Sequence, residues 1–422
     1  MVMKSARLSA VDALNFCASQ AGAGTDWFLA WVFVGDGTPV DPAAIQDHFR
    51  SRRTVLDELF RTVAEVPGAL DYPYWVRDPS TIDTHLSMHR ELEDWANVQT
   101  SIGSLAENPL DATASTWHAH VYPAVSGVPG TDTESTVVVM QVSHAVIAGP
   151  STGALTHSLF GRSPQPLRIP GLVGLAQRRH ALSSAAVGLA RIPSGLLRRR
   201  RLLRKAVQQN STPQLDVSDG TAPALSARPG TDRAVRSLRL ILTALQDKPE
   251  TVTTLATTAL SLAVQRYLDS HGEDCPPTLS ALLTVAVADN ADALGVNRIL
   301  AATAGLFPDI PDMHDRAAAI GADSRRARAH ATGPATLPFV VANAAAPFLL
   351  ARFGLRAMTK QFAANPALLA PANLVLTSVN AGPSGDCELA GRTLDGVGVV
   401  AALPPTGGIL HSVVGCGDRL TV

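Results

Sequence analysis

The chain has 422 residues, a formal net charge of −1, 46% hydrophobic and 17% charged residues, which is enough apolar content for a sizeable core and rules out wholesale disorder. At this length two packed units are expected, and the charge balance argues against a protein that binds nucleic acid as a whole. Cys17, Cys275, Cys387 and Cys416 form no CxxC pair, so neither a zinc site nor a disulfide framework is expected, in keeping with a reducing compartment.

The opening MVMKSARLSAVDA lacks the apolar core of a secretory signal. No uninterrupted apolar run reaches 18 residues, so a soluble chain that touches membranes at most is expected. Trp31–Val34 predicts a short strand. The Asp41-Pro42 start signal, with Ile45, Phe49, Leu56, Leu59, Phe60 and Val63 at helical spacing, predicts a helix over Pro42–Val66. Trp117–Val121 and the β-branched Thr136–Val142 predict buried strands. A small-residue turn, Ser143–Gly149, follows, and then a helix from about Ser151. Prolines 164, 166, 170, 193 and 213 mark residues 163–232 as a crossover linker with short helices. From about Arg233 a second α/β unit begins: a helix over Thr251–Leu268, a strand over Leu279–Val287, an Arg-rich helix over Arg316–His330, a strand over Asn373–Val379 and pairing strands within 396–422. The predicted organisation is α/β, with units at 1–162, 163–232 and 233–422.

Charge is unevenly distributed. Between Glu134 and Asp216 lie 81 positions with no acidic residue and eleven Arg or Lys, so a basic belt separates two acidic flanks. Within it, Arg198, Arg199, Arg200 and Arg201, with Arg204 and Lys205, are flanked by leucines. Such a run is either a solvated face or a contact with an anionic lipid surface.

Among residues that carry chemistry, His144 stands where a strand ends and a turn begins. An imidazole there can take a proton from an alcohol near neutral pH, or it can serve as a buried structural histidine. Gly149-Pro150-Ser151-Thr152-Gly153 matches the five-residue pattern of a hydrolase nucleophile elbow, but Ser151 lies nine residues past Val142 instead of at the strand end. A turn with Ser151 capping the next helix is the plainer reading. Gly396–Ala401 mimics a dinucleotide-binding turn, and Pro404-Pro405 breaks the helix that would have to follow. His118 and His120, and His85 and His89, have ligand-like spacing without a third partner, so no metal is expected.

Several segments, taken in order, resemble the bacterial wax ester synthase/diacylglycerol acyltransferase family, most of all its actinobacterial members. They are Arg7–Ala13; Pro73–Asp78 with Asp83 and His85; Asn108–Asp111 with Trp117; Ser143–Gly149 at the position of the family's HHxxxDG; Thr251–Leu268; Gly295–Arg298; Asn373–Leu376 with Gly382-Pro383; and Leu389–Gly391. The resemblance implies two chloramphenicol-acetyltransferase-like halves, mixed sheets with flanking helices, around a central tunnel. It implies an acyl-CoA-dependent O-acyltransferase that makes triacylglycerol or wax ester from diacylglycerol or a long-chain alcohol, with His144 as general base. Acyl-CoA would be a co-substrate and no cofactor would be needed. Asn297, Arg298, Ser378 and Asn380 become candidate substrate contacts, and a cytoplasmic protein peripheral to a membrane or lipid droplet is expected.

The chain departs from that pattern. Ser143 replaces the first histidine and Ala148 the aspartate, while Gly149 is kept. Thr253-Thr254 stands where the family has Asn-Asp, and Ser378–Pro383 where it has Asn-Val-Pro-Gly-Pro. These changes open a second reading, a lipid-binding pseudoenzyme. A serine hydrolase using Ser151 is the third.

Overall fold

A computed structural model describes residues 6–422 except 23, 39, 90–91, 178–180, 209–224, 226–229, 231–232, 242–249, 288–293, 334–335, 365–371, 402 and 404–408. In the first part of the chain the strands are β1 (Asp26–Val34), β2 (Arg61–Ala64), β3 (Tyr74–Arg77), β4 (Leu86–Met88), β5 (Glu93–Asp94), β6 (Trp117–Ser126) and β7 (Ser135–Ser143). They continue with β8 (Arg239–Ile241), β9 (Ser280–Ala286), β10 (Ile299–Gly305), β11 (Leu374–Asn380), β12 (Glu388–Leu389), β13 (Arg392–Ala401), β14 (Leu410–Cys416) and β15 (Arg419–Thr421). The helices are α1 (Ala10–Gln20), α2 (Pro42–Ser51), α3 (Trp95–Glu107), α4 (Thr152–Phe160), α5 (Ala181–Gln208), α6 (Val252–Ser270), α7 (Met313–Thr332), α8 (Leu337–Ala344) and α9 (Phe348–Ala364).

Among the described residues the strands form two mixed sheets and the ribbon β2–β3. The first sheet runs β12-β13-β1-β7-β6-β4, with β5 also on β6; the second runs β10-β9-β11-β14-β15-β8. Its pairings with β4 and β5 make the first sheet parallel at that edge, and β11 is parallel to both neighbours in the second. The expected mixed α/β class is therefore the observed one. The center of the first sheet is β7, all nine of whose residues are buried. Thr136 and the valines that follow suit a strand covered on both faces.

Two features were not expected from the sequence. The helix predicted over Pro42–Val66 ends at Ser51. Leu56, Leu59 and Phe60 are buried from a turn segment, and Arg61–Ala64 pairs with Tyr74–Arg77; residues spaced to share a helix face reach the same core from a turn and a strand. Among the described residues the linker carries a long helix, running through Pro193 from Ala181 to Gln208. The Gly396–Ala401 segment is strand, on β13 antiparallel to β1. Late residues thus complete the sheet of the first ones.

Two glycines fix how the linker meets the second half. Gly171 and Gly295 both have positive φ, +81° and +65°. A Cβ on Gly171 would collide with the Gly295 carbonyl, and one on Gly295 with Asp12 Oδ2 and Ser9 Oγ. Gly171→Ala and Gly295→Ala should each cost about 1–3 kcal/mol in urea unfolding, through overpacking and a left-handed backbone. Gly385→Ala, with open space around its Cβ position, serves as the control; equal stability of all three variants would refute this packing.

Candidate active site

At the end of β7 the chain must leave the sheet. Ser143 N donates to Thr116 O at 2.8 Å, and Val146 N donates to Ser143 O at 3.0 Å, closing a turn. Ser143 Oγ accepts from Ala145 N at 3.4 Å. His144 stands at the corner. On β1, Trp27 pairs with Val142, and its ring meets the imidazole edge-on with centroids 4.8 Å apart. A Cβ at Gly149 would lie 2.8 Å from Trp27 Cη2 and 3.4 Å from Val379 Cγ2. Hydrogen is the only side chain that fits there, which accounts for a glycine whose φ is not left-handed.

The turn is held from the other end of the chain. Ser9 caps α1 by accepting from Asp12 N at 3.1 Å, which sets Asp12 on the first turn. The Asp12 carboxylate is 2% exposed. It accepts from Val296 N at 3.2 Å, Asn297 N at 3.3 Å and Asn297 Nδ2 at 2.8 Å. Asn297 Nδ2 also donates to the His144 carbonyl at 2.6 Å. A carboxylate on α1, an amide from the second half and the His144 backbone therefore form one buried chain. Burial pushes Asp12 up to about 6 despite these donors. Burial likewise pulls His144 down to about 4, with its own backbone and Asn297 acting the other way. The imidazole is neutral at pH 7. Its Nδ1 is buried without a hydrogen-bond partner, while the residue as a whole is only half-buried.

A cavity of about 570 Å³ adjoins the turn through Val379 and is also lined by Thr253, Ser378, Asn380 and Pro383. Thr253 Oγ1 and Ser378 Oγ are 3.0 Å apart, and Thr251 caps α6 by accepting from Thr254 N at 3.2 Å. This cavity offers hydroxyls beside a helix N-terminus, an arrangement that favours an electron-rich ligand atom.

The sequence candidates divide accordingly. His144, Ser143, Gly149 and Asn297 come together. Ala148 is buried in the same turn, where its carbonyl accepts from Ser151 N at 2.9 Å. Ser378 and Asn380 line the adjacent cavity, while Arg298 Nε donates to Gly295 O at 3.2 Å, securing the brace loop. Ser151 is buried and makes no side-chain cap bond; among the described residues no hydrogen bond joins it to a histidine. Arg199 donates to Asn343 of α8 at 3.1 Å, and Arg198, Arg200, Arg201, Arg204 and Lys205 are exposed along α5. His118 bonds Ser87 and His85 bonds Ser80. Among the described residues no group of three His, Cys, Asp or Glu side chains is placed to hold a metal ion. The sequence alone gives Trp27 and Asp12 no role. Asp12 lay within a family-like block, whereas nothing local marks Trp27.

Residues 33–239 match the model of the wax ester synthase/diacylglycerol acyltransferase catalytic domain. Over those residues the chain is similar to the catalytic domain of the wax ester synthase/diacylglycerol acyltransferase family. No curated protein matches it. Among solved structures it is similar to a wax ester synthase/diacylglycerol acyltransferase from Marinobacter aquaeolei VT8, with TM-score 0.62 and 16% identity over 98% of this chain and 91% of that one. It is also similar to the starter condensation domain of rhizomide synthetase RzmA in complex with C8-CoA, at TM-score 0.56 and 13% identity over 100% and 89% of the two chains. A third is trichothecene 15-O-acetyltransferase from Fusarium sporotrichioides, at TM-score 0.54 and 11% identity over 99% and 88%. At these identities the likeness establishes the fold, and the match over residues 33–239 supports an acyltransferase.

The Asp12 carboxylate and the His144 imidazole give the chain opposed pH dependences. Asp12 holds its proton in the folded chain, so it contributes stability at acid pH that is lost as pH rises from about 4 to 6. His144 resists protonation, so its contribution is lost as pH falls from about 6.5 to 4. Relative to the parent, urea unfolding of His144→Ala should show stability falling as pH rises through that window. Asp12→Asn should show the reverse. Each differs by about 1.4 kcal/mol per pH unit. Parallel pH curves for all three proteins would exclude the buried pair.

Proposed function

We propose that the protein is an acyl-CoA-dependent O-acyltransferase whose acceptor is a long-chain alcohol or diacylglycerol, giving a wax ester or triacylglycerol. The observation that carries this reading is His144 itself, a neutral, half-buried imidazole with its Nδ1 turned inward and its backbone braced by Asn297. In the proposed reaction its Nε2 takes the proton of the acceptor hydroxyl, and the oxygen attacks the thioester carbonyl. The C–S bond then breaks, and the departing thiolate takes the proton from the imidazolium, leaving ester and free CoA thiol. Holding hydroxyl and thioester together accounts for more of the rate than basicity does. Ser143 Oγ supports the turn where the family has a histidine. The reaction needs no cofactor beyond its acyl-CoA co-substrate, and the acceptor is met in the cytoplasm at a membrane or lipid-droplet surface.

One observation favours a second reading. Ala148 places a methyl group where the family has a carboxylate, and a fold that keeps its apolar frame while losing that group suits a pseudoenzyme that binds lipid without turnover.

Purified protein given a long-chain acyl-CoA with diacylglycerol or a fatty alcohol should form ester and release CoA. His144→Ala should lower the rate 10²–10⁴-fold, the usual share of general base catalysis, roughly. The acid limb of the pH–rate profile should fall near 4 instead of 6.5. Lipid binding with no CoA release would establish the pseudoenzyme. Fluorophosphonate labelling lost in Ser151→Ala would establish the hydrolase instead.

A further inference from the structure

A second acid-free stretch, from Ser324 to Gly385, lies far from the basic belt in sequence. The fold brings the two together. Gly188 of α5 packs on the Leu70 carbonyl, and Gly195 on Pro347 at the corner between α8 and α9, with an added Cβ 3.3 Å from the proline ring. Arg199 reaches Asn343 at 3.1 Å. The inner face of α5 is thus small or engaged, and Ala206 near its end is fully buried.

The outer faces look unlike those of a water-facing helix. On α5, Leu189, Leu196, Leu197 and Val207 are 56%, 41%, 55% and 63% exposed. They share a face with Arg200 and Arg204 by helical spacing. On α9, Leu349, Leu350 and Phe353 are 43%, 47% and 71% exposed, with Arg356 and Lys360 continuing the same stripe. Neither helix contains an Asp or Glu. Exposed leucine and phenylalanine interleaved with uncompensated cations is the pattern of a helix lying in the headgroup region of an anionic bilayer. Among the described residues no single helix is long and apolar enough to cross a membrane.

Under these helices lies a second cavity, of about 620 Å³. Its outer wall includes Ile192, Ser194 and Arg198 of α5 and Pro347 at the corner; its inner wall is Ser9 and Gly295. Those two residues enclose the Asp12 carboxylate, one amide removed from His144. The cavity shares no lining residue with the Thr253–Ser378 cavity. Neither is lined by a residue of the 143–149 turn: the first approaches it through Val379 beside Gly149, and the second lies behind Ser9 and Gly295.

We infer that α5 and α9 together form a docking face for an anionic bilayer, and that the cavity beneath them admits a glycerolipid or long-chain alcohol from it. The acceptor role of that lipid rests on the acyltransferase reading; docking and entry do not. The charge of the face selects the bilayer, and the apolar side chains anchor it.

The test uses the full chain and needs neither acyl-CoA nor turnover. The protein should co-sediment with phosphatidylcholine vesicles containing phosphatidylglycerol, and less as salt is raised. Replacing Arg356 and Lys360, together with the half-buried Arg352 beside them on α9, with serine should weaken binding roughly a hundredfold, at the usual gain per charge near an anionic surface. A diazirine-bearing diacylglycerol in those vesicles should cross-link to peptides spanning 188–198 and 341–348. Ser194→Trp, at an exposed helix position on the cavity rim, should cut that cross-linking several-fold while leaving sedimentation unchanged. Binding indifferent to phosphatidylglycerol and to the triple substitution would overturn the docking face. Cross-links confined to the Thr253–Ser378 cavity, or unaffected by Ser194→Trp, would overturn entry at this point. Lipid capture without CoA release would remove the transferase reading and leave this inference standing.

Discussion

A buried carboxylate with few ways to be satisfied governs the arrangement of the molecule. Asp12 cannot be left without donors at that depth, and the donors it finds are the backbone and side chain of residues 296–297. The first helix is thereby tied to the start of the second half, and Asn297 extends the tie to the His144 carbonyl. Gly295 has to be a glycine because Asp12 and Ser9 fill the space of its side chain. Gly171 must be one because the linker crosses the same loop. Removing the carboxylate would therefore disturb more than one hydrogen bond: it would loosen the junction that positions the proposed base.

The site also shows how polar support can be exchanged within a constant framework. Ser143, where the resemblance would place a histidine, offers a hydroxyl that accepts from the turn. Thr253 and Ser378 face each other across the neighbouring cavity as a neutral pair. At Ala148, where the resemblance would place an aspartate, there is only a methyl group. The tie that remains comes from a different direction, from α1 through Asn297. A histidine held by its backbone keeps its place without a carboxylate at 148, and its low affinity for protons follows from burial.

Much of this organisation is written in local patterns. The β-branched run of β7 and the apolar face of α6 each produced the element expected, within a few residues, and the Asp41-Pro42 signal marks where α2 starts. The helix forecast past Ser51 did not form, because apolar spacing records which residues are buried and not the backbone that buries them; Leu56, Leu59 and Phe60 satisfy both descriptions. Pro193 suggested a break, yet α5 runs through it, since a helix packed along one face can lose one amide donor there. His144 was visible as a strand-end histidine. Its partners were not, because Asp12 and Asn297 are 285 positions apart and no window of sequence contains both. Trp27 is likewise defined only by the pairing of β1 with β7.

The pairing of β13 with β1 has a consequence for how the chain is made. Trp27 and its neighbours leave the ribosome early, but the strand that closes their open edge is translated some 360 residues later. Until then the nascent N-terminal half presents a long, nearly all-apolar strand with unpaired amides, a natural site for intermolecular association. Tight coupling of the two ends in the finished protein comes with a prolonged period of vulnerability during synthesis.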